Sequence, residues 1–234
     1  MTAQEASLFV LRRKDWITHL SKPVVKLAAL YHRVTVEGVE YLPRQGPALL
    51  LVKHRATRDS ILLSEILYRH TGRMGNYLMK GKATGLKNSL LEALGGIKVV
   101  RPKDIYKLKS RDDKKARLAW AREYNQRAYN YVAWLYTQSE IVIVYPEGMF
   151  FGHRLGPIQS GIIKHTLAVE QAHSLQIPII PIGIEYQKLH QPRSRAYFRI
   201  GLPLISTSFA DPRELTAEVK QQLARLSGLV TNLH

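Results

Sequence analysis

The 234-residue chain is 45% hydrophobic and 23% charged, enough apolar material to fill one folded core. Its 35 Lys and Arg against 18 Asp and Glu give a formal charge of +17, which attracts polyanions: nucleic acid, anionic lipid, a phosphorylated cofactor or an acidic protein. It has no cysteine, which excludes disulfides, thiolate zinc sites and a cysteine nucleophile.

No apolar run reaches the roughly 18 residues needed to span a bilayer. Near the N-terminus Glu5 comes before a short apolar patch, followed by Arg12, Arg13, Lys14 and Asp15. A signal peptide has its charge first and a longer apolar stretch after it. The expectation is a cytoplasmic protein without signal peptide or transmembrane segment, with peripheral membrane association open to it.

The first predicted element is a helical segment from Leu8 to Tyr31. Leu8, Leu11, Trp16, Leu20, Val24, Leu27 and Leu30 can share one side, and Pro23 breaks or kinks it. Such an amphipathic segment either lies in a lipid interface or covers one side of the core. Residues 1–32 are assigned to it, and residues 33–234 to one α/β domain.

Val34–Val39 alternates as a strand, and Pro43 to Pro47 turns the chain. Ala48–Val52 is a continuous apolar run, as in a buried central strand. Helix is predicted over Ser60–His70, with Thr57 as a possible N-cap. A strand follows over Asn76–Met79, a short helix over Lys87–Leu94 and a strand over Ile97–Val100. Asp112–Thr137 has helical composition without Gly or Pro. Ile141–Tyr145 is a buried strand, Gly161–Ser174 a helix, Ile177–Tyr186 a strand carrying Pro178 and Pro181, and Ala196–Gly201 a strand. Asp211-Pro212 starts the last helix with a cap and an N1 proline. Strands alternating with helices predict a layered α/β sandwich around a mixed, largely parallel sheet.

Four constellations carry chemistry. In Lys53-His54-Arg-Ala-Thr-Arg-Asp59 the chain turns between strand and helix, so Asp59 can point back at His54. An aspartate holding one imidazole nitrogen leaves the other free to take a proton. The alternative is a loop histidine and a helix-start aspartate without chemistry. In Tyr145-Pro-Glu147-Gly148 the glycine after the carboxylate permits a tight turn at a strand end. In Gly95-Gly-Ile-Lys98-Val-Val-Arg101, Lys98 and Arg101 can hold a phosphate or be solvated strand-end charges. In Ile177-Pro-Ile-Ile-Pro181, two prolines argue for an edge strand or a bulge. Between Arg101 and Arg122 nine Lys or Arg face three Asp, with aromatics following. That pattern suits nucleic acid, a lipid interface or a solvated helix.

The order His-x-x-x-x-Asp, Gly-turn-to-Arg, Pro-Glu-Gly and Ile-Pro-x-x-Pro resembles the glycerolipid acyltransferase superfamily, the family of bacterial 1-acylglycerol-3-phosphate acyltransferases. The likeness runs from about Gly38 to Gly201. It implies His54 as catalytic base and Asp59 as its partner. It further implies Arg101 on the acceptor's phosphate, Glu147 and Gly148 shaping the acceptor site, and Pro181 near the acyl donor. Residues 33–234 would then be an acyltransferase domain of phospholipid or glycerolipid synthesis. It would need no metal or cofactor and would take acyl-CoA or acyl carrier protein as co-substrate. Its partners would be a lysophospholipid, glycerol phosphate or other lipid-like acceptor and an anionic membrane surface. Two rival readings are a non-catalytic lipid-binding relative and a basic nucleic-acid-binding protein, which leaves the motif order unexplained. The chain departs from the family's ordinary pattern at Lys53, where Asn is usual, at Met149-Phe150, where Thr-Arg is usual, and at Ile158-Gln-Ser-Gly161, where Phe-Lys-x-Gly is usual.

Overall fold

Four apolar residues in succession, Leu49, Leu50, Leu51 and Val52, are fully buried because their strand is covered on both faces. A computed structural model describes residues 31–81, 94–101, 105 and 111–229. The expected N-terminal helical segment, up to residue 30, and nearly all of the expected Lys87–Leu94 helix lie outside these residues.

The described strands are β1 (Arg33–Glu37), β2 (Ala48–Val52), β3 (Gly75–Lys80), β4 (Gly96–Val99), β5 (Ile141–Val144), β6 (Ile179–Tyr186) and β7 (Arg195–Ile200). They form one sheet in the order β1-β7-β6-β2-β5-β3-β4. All neighbours are parallel except β6 and β7, which are antiparallel. The helices are α1 (Asp59–Thr71), α2 (Arg111–Thr137), α3 (Gly161–His173) and α4 (Pro212–Leu226). The predicted layered, mixed and largely parallel α/β fold is the observed one.

Strand periodicity divides the core in two. Leu50, Val52, Ile141, Ile143, Ile180 and Ile182 face α1, with Leu62, Leu63, Ile66 and Leu67 packed on them. Leu49, Leu51, Val142 and Val144 face the other way, onto α2, α3 and α4. Each buried aliphatic side chain contributes about 1.5–3 kcal/mol of transfer free energy. The sheet is therefore the stiff platform on which the loops at its ends are held.

One local expectation needs correction, and another resolves between its two alternatives. Helix α1 begins at Asp59 after Arg58, which makes no side-chain cap, so Thr57 is not the N-cap. β6 is no edge strand: it lies between β2 and β7. Pro181 is tolerated there because the β6–β7 ladder starts only at Ile182↔Ile200, while Ile179 bridges Leu204 one residue out of register. The missing N–H falls at this bulge, where no ladder bond is lost. At α4 the reading holds: Asp211 accepts from the Arg213 and Glu214 backbones at 2.6 and 2.9 Å, with Pro212 behind it.

Candidate active site

β2, β3, β4 and β5 are parallel, so their C-terminal ends open on the same side of the sheet, where α/β folds hold their ligands. Past the end of β2 the chain turns, and the Asp59 carboxylate organises that turn. Its Oδ2 accepts from the Arg55 and Ala56 backbone N–H groups at 2.6 and 2.8 Å. The same oxygen lies 3.1 Å from His54 Nδ1. Its Oδ1 accepts the Tyr186 hydroxyl at 2.7 Å. Asp59 is fully buried, and this full set of donors stabilises its charge there. Burial and the Asp59 charge push the Tyr186 phenol up, so it stays a donor at neutral pH.

The His54 ring packs against two aromatic rings. Tyr145 lies at 3.9 Å between centroids, 21° from parallel, and Phe150 at 4.2 Å, tilted by 45°. The Tyr145 hydroxyl shares a 2.8 Å hydrogen bond with Ser60 Oγ. Burial raises its pKa well above the ordinary value, so it too stays neutral.

A second knot lies behind the histidine. Lys53 and Glu147 are fully buried, and Lys53 Nζ reaches both Glu147 oxygens at 2.8 Å. Glu147 also accepts the His54 backbone N–H at 3.2 Å and the Gly156 N–H at 2.6 Å. Burial lowers the Lys53 pKa while the Glu147 carboxylate opposes the shift. Gly148 follows in the left-handed region, φ 65°, a conformation that glycine adopts without strain. Its carbonyl accepts from Arg101.

An open cavity of about 610 Å³ begins at His54 and runs along the ends of β3, β4 and β5 toward α2 and α3. Its walls are mostly apolar, among them Leu78, Val99, Tyr129, Val144 and Ile162. Met149 and Phe150 stand about half exposed at its mouth. The size and lining suit a small lipid or an acyl chain. Among the described residues, no group of three or more His, Asp or Glu is placed to hold a metal ion.

The sequence-derived residues divide accordingly. His54 and Asp59 are joined, and His54, Arg101 and Gly148 line the cavity. Glu147 is turned inward onto Lys53. Lys98, in β4, alternates with the core residues Ile97 and Val99 and is off the cavity. Pro181 is buried inside β6 and is off it as well. Sequence reasoning missed Tyr186, Tyr145, Phe150 and the Lys53 pairing. Lys53, charged at the end of an otherwise buried strand, was the one signal available for the pairing.

The acyltransferase family model matches residues 33–185, and the chain belongs to that family, within the glycerolipid acyltransferase superfamily. Among solved structures it is similar to the 1-acyl-sn-glycerophosphate (LPA) acyltransferase PlsC from Thermotoga maritima, with a TM-score of 0.60 at 15% identity. That match covers 97% of this chain and 88% of the other. No curated protein matches the chain in sequence.

His32 sets a condition on stability near the site. It is buried, with Nδ1 3.0 Å from Ser194 Oγ and Nε2 2.8 Å from Arg58. Burial, aided by the Arg58 charge, lowers its pKa. Below the ordinary value of about 6.5 the unfolded chain takes up a proton that the folded chain resists. This contribution is complete above that pH and is lost as pH falls below it. Melting temperatures measured from pH 7.5 to 5.5 should fall less steeply for His32→Asn than for the native chain.

Proposed function

We propose that this acyltransferase moves a fatty acyl group from a thioester, acyl-CoA or acyl carrier protein, directly to the hydroxyl of a lysophospholipid, glycerol phosphate or similar lipid-like acceptor. The observation that carries the reading is His54: fixed through Nδ1 by Asp59, it presents its other edge to an apolar cavity. His54 Nε2 removes the acceptor's hydroxyl proton as the oxygen attacks the thioester carbonyl. The tetrahedral intermediate collapses, the C–S bond breaks, and the thiolate regains the proton from His54. Asp59 stabilises the imidazolium formed in between. Stacking on Tyr145 and contact with Phe150 fix the ring plane.

The +17 charge supports a peripheral position on the anionic, cytoplasmic face of a membrane, where lipid acceptors reside. Among the described residues, no helix is long and apolar enough to cross one. The test is free-thiol release from acyl-CoA and acyl carrier protein against lysophosphatidate, glycerol phosphate, neutral lysolipids and long-chain alcohols, with liposome sedimentation beside it. Release stimulated by one acceptor class is expected. No stimulation by any of them sinks the reading.

Tyr186 acts through Asp59 and is a positioning residue. Tyr186→Phe leaves Oδ1 without its donor and should lower kcat about 5–30-fold, the effect of about 1–2 kcal/mol. KM should stay nearly constant. A change in KM alone would place Tyr186 against substrate instead.

A further inference from the structure

Arg55 follows His54 in sequence and is only 6% exposed, yet its guanidinium has no carboxylate partner among the described residues. Its Nε is buried without any hydrogen bond. Its one side-chain partner among the described residues is His153, whose Nδ1 lies 3.3 Å from the guanidinium. The nearby carboxylates are committed: Glu147 to Lys53 and two backbone N–H groups, Asp59 to its four donors. A buried cation left this way is costly, and native proteins rarely keep one without a counter-ion.

Arg58 repeats the pattern nearby. It is held by the neutral His32 at 2.8 Å, and its guanidinium lies 4.5 Å from the centre of the Tyr31 ring. The charges of both arginines act on Tyr186, at the end of β6. The apolar cavity begins at His54 and runs along the ends of β3, β4 and β5, and neither arginine is among its lining residues. The two arginines that follow the reacting histidine in sequence are thus held by histidines.

We infer that Arg55, with Arg58 beside it, forms a binding subsite for a phosphate group of a co-substrate, with His153 holding the guanidinium until the phosphate arrives. The inference builds on His54 as the reacting centre. A phosphate oxygen accepts a shorter, charge-assisted hydrogen bond than an imidazole nitrogen does, and the guanidinium fork offers Nε and one terminal nitrogen together. Arg101, the cation expected on the acceptor's phosphate, lines the cavity, whereas Arg55 and Arg58 do not. Both an acyl-CoA donor and a phosphorylated acceptor bring phosphate to this reaction, so either can supply the group.

The test is equilibrium binding by calorimetry, without turnover, to the full chain and its Arg55→Met, Arg55→Lys and His153→Ala variants. One arm compares dodecyl phosphate with dodecanol, and the other compares CoA with dephospho-CoA and pantetheine. Arg55→Met should weaken dodecyl phosphate, CoA, or both by roughly ten- to a hundredfold, the worth of a charge-assisted hydrogen bond. Dodecanol and pantetheine should bind unchanged. Arg55→Lys should retain part of the affinity, and His153→Ala should keep or improve it. The arm that responds identifies the source of the phosphate. Because an unpaired buried charge is removed, Arg55→Met should melt at or above the native temperature. The inference is overturned if folded Arg55→Met and Arg55→Lys bind every phosphate probe as the native chain does. It is overturned too if Arg55→Met melts several degrees lower and Arg55→Lys, still folded, binds like native. Phosphate binding without thiol release would refute the proposed reaction and leave this subsite standing.

Discussion

His54→Ala is expected to slow transfer from thioester to hydroxyl by about 10²–10⁴-fold, the usual contribution of a positioned general base. The fold should survive it. Asp59 keeps three of its four donors, the Arg55 and Ala56 N–H groups and the Tyr186 hydroxyl, so the turn after β2 remains pinned. The loss of one hydrogen bond costs about 1 kcal/mol. Asp59→Ala is a poorer probe because it releases all four donors at once and removes a buried carboxylate. Activity lost with an unchanged melting curve in His54→Ala isolates the chemistry. Full activity in a folded His54→Ala would end the proposed mechanism.

The largest stability effect is expected at Glu147. Truncation to alanine leaves Lys53 Nζ fully buried without its carboxylate and strips the His54 and Gly156 N–H groups of their acceptor. Removing one partner of a buried ion pair costs about 3–5 kcal/mol. For a chain of this size that lowers the melting temperature by roughly 6–20 °C. Glu147→Gln should fall in between, because the amide oxygen still accepts. A double change, Lys53→Met with Glu147→Gln, should recover part of the loss by removing the stranded charge. Urea unfolding of the four proteins checks the order. A Glu147→Ala variant within 1 kcal/mol of native would mean that the pair does not secure the loop carrying His54.

These two residues also show what a sequence can and cannot disclose. The buried run Leu49–Val52 and the Asp211-Pro212 helix start are local patterns, so the sheet and α4 were legible from them. His54 and Asp59 were legible because five residues and one turn connect them. Glu147 was legible as a strand-end carboxylate, but its inward direction was not. Its partner Lys53 lies 94 residues away, and only the pairing of β2 with β5 brings them together. Tyr186 reaches Asp59 across 127 residues through the pairing of β2 with β6. At Pro181 the edge strand and the bulge stayed open because a single strand does not reveal where its neighbour leaves register, and the bulge is the one observed. Lys98 sits on the wrong side by the period-two alternation of a strand, which its neighbours Ile97 and Val99 settle.

The central claim is that one reaction couples thioester cleavage to ester formation at His54. The direct measurement follows a radiolabelled acyl thioester with the preferred acceptor and counts released thiol and labelled lipid ester together. Equal amounts of both, dependent on acceptor and lost in His54→Ala, are predicted. Thiol released without ester would make the protein a hydrolase, and neither product with any acceptor would make it a binding protein; either result contradicts the account.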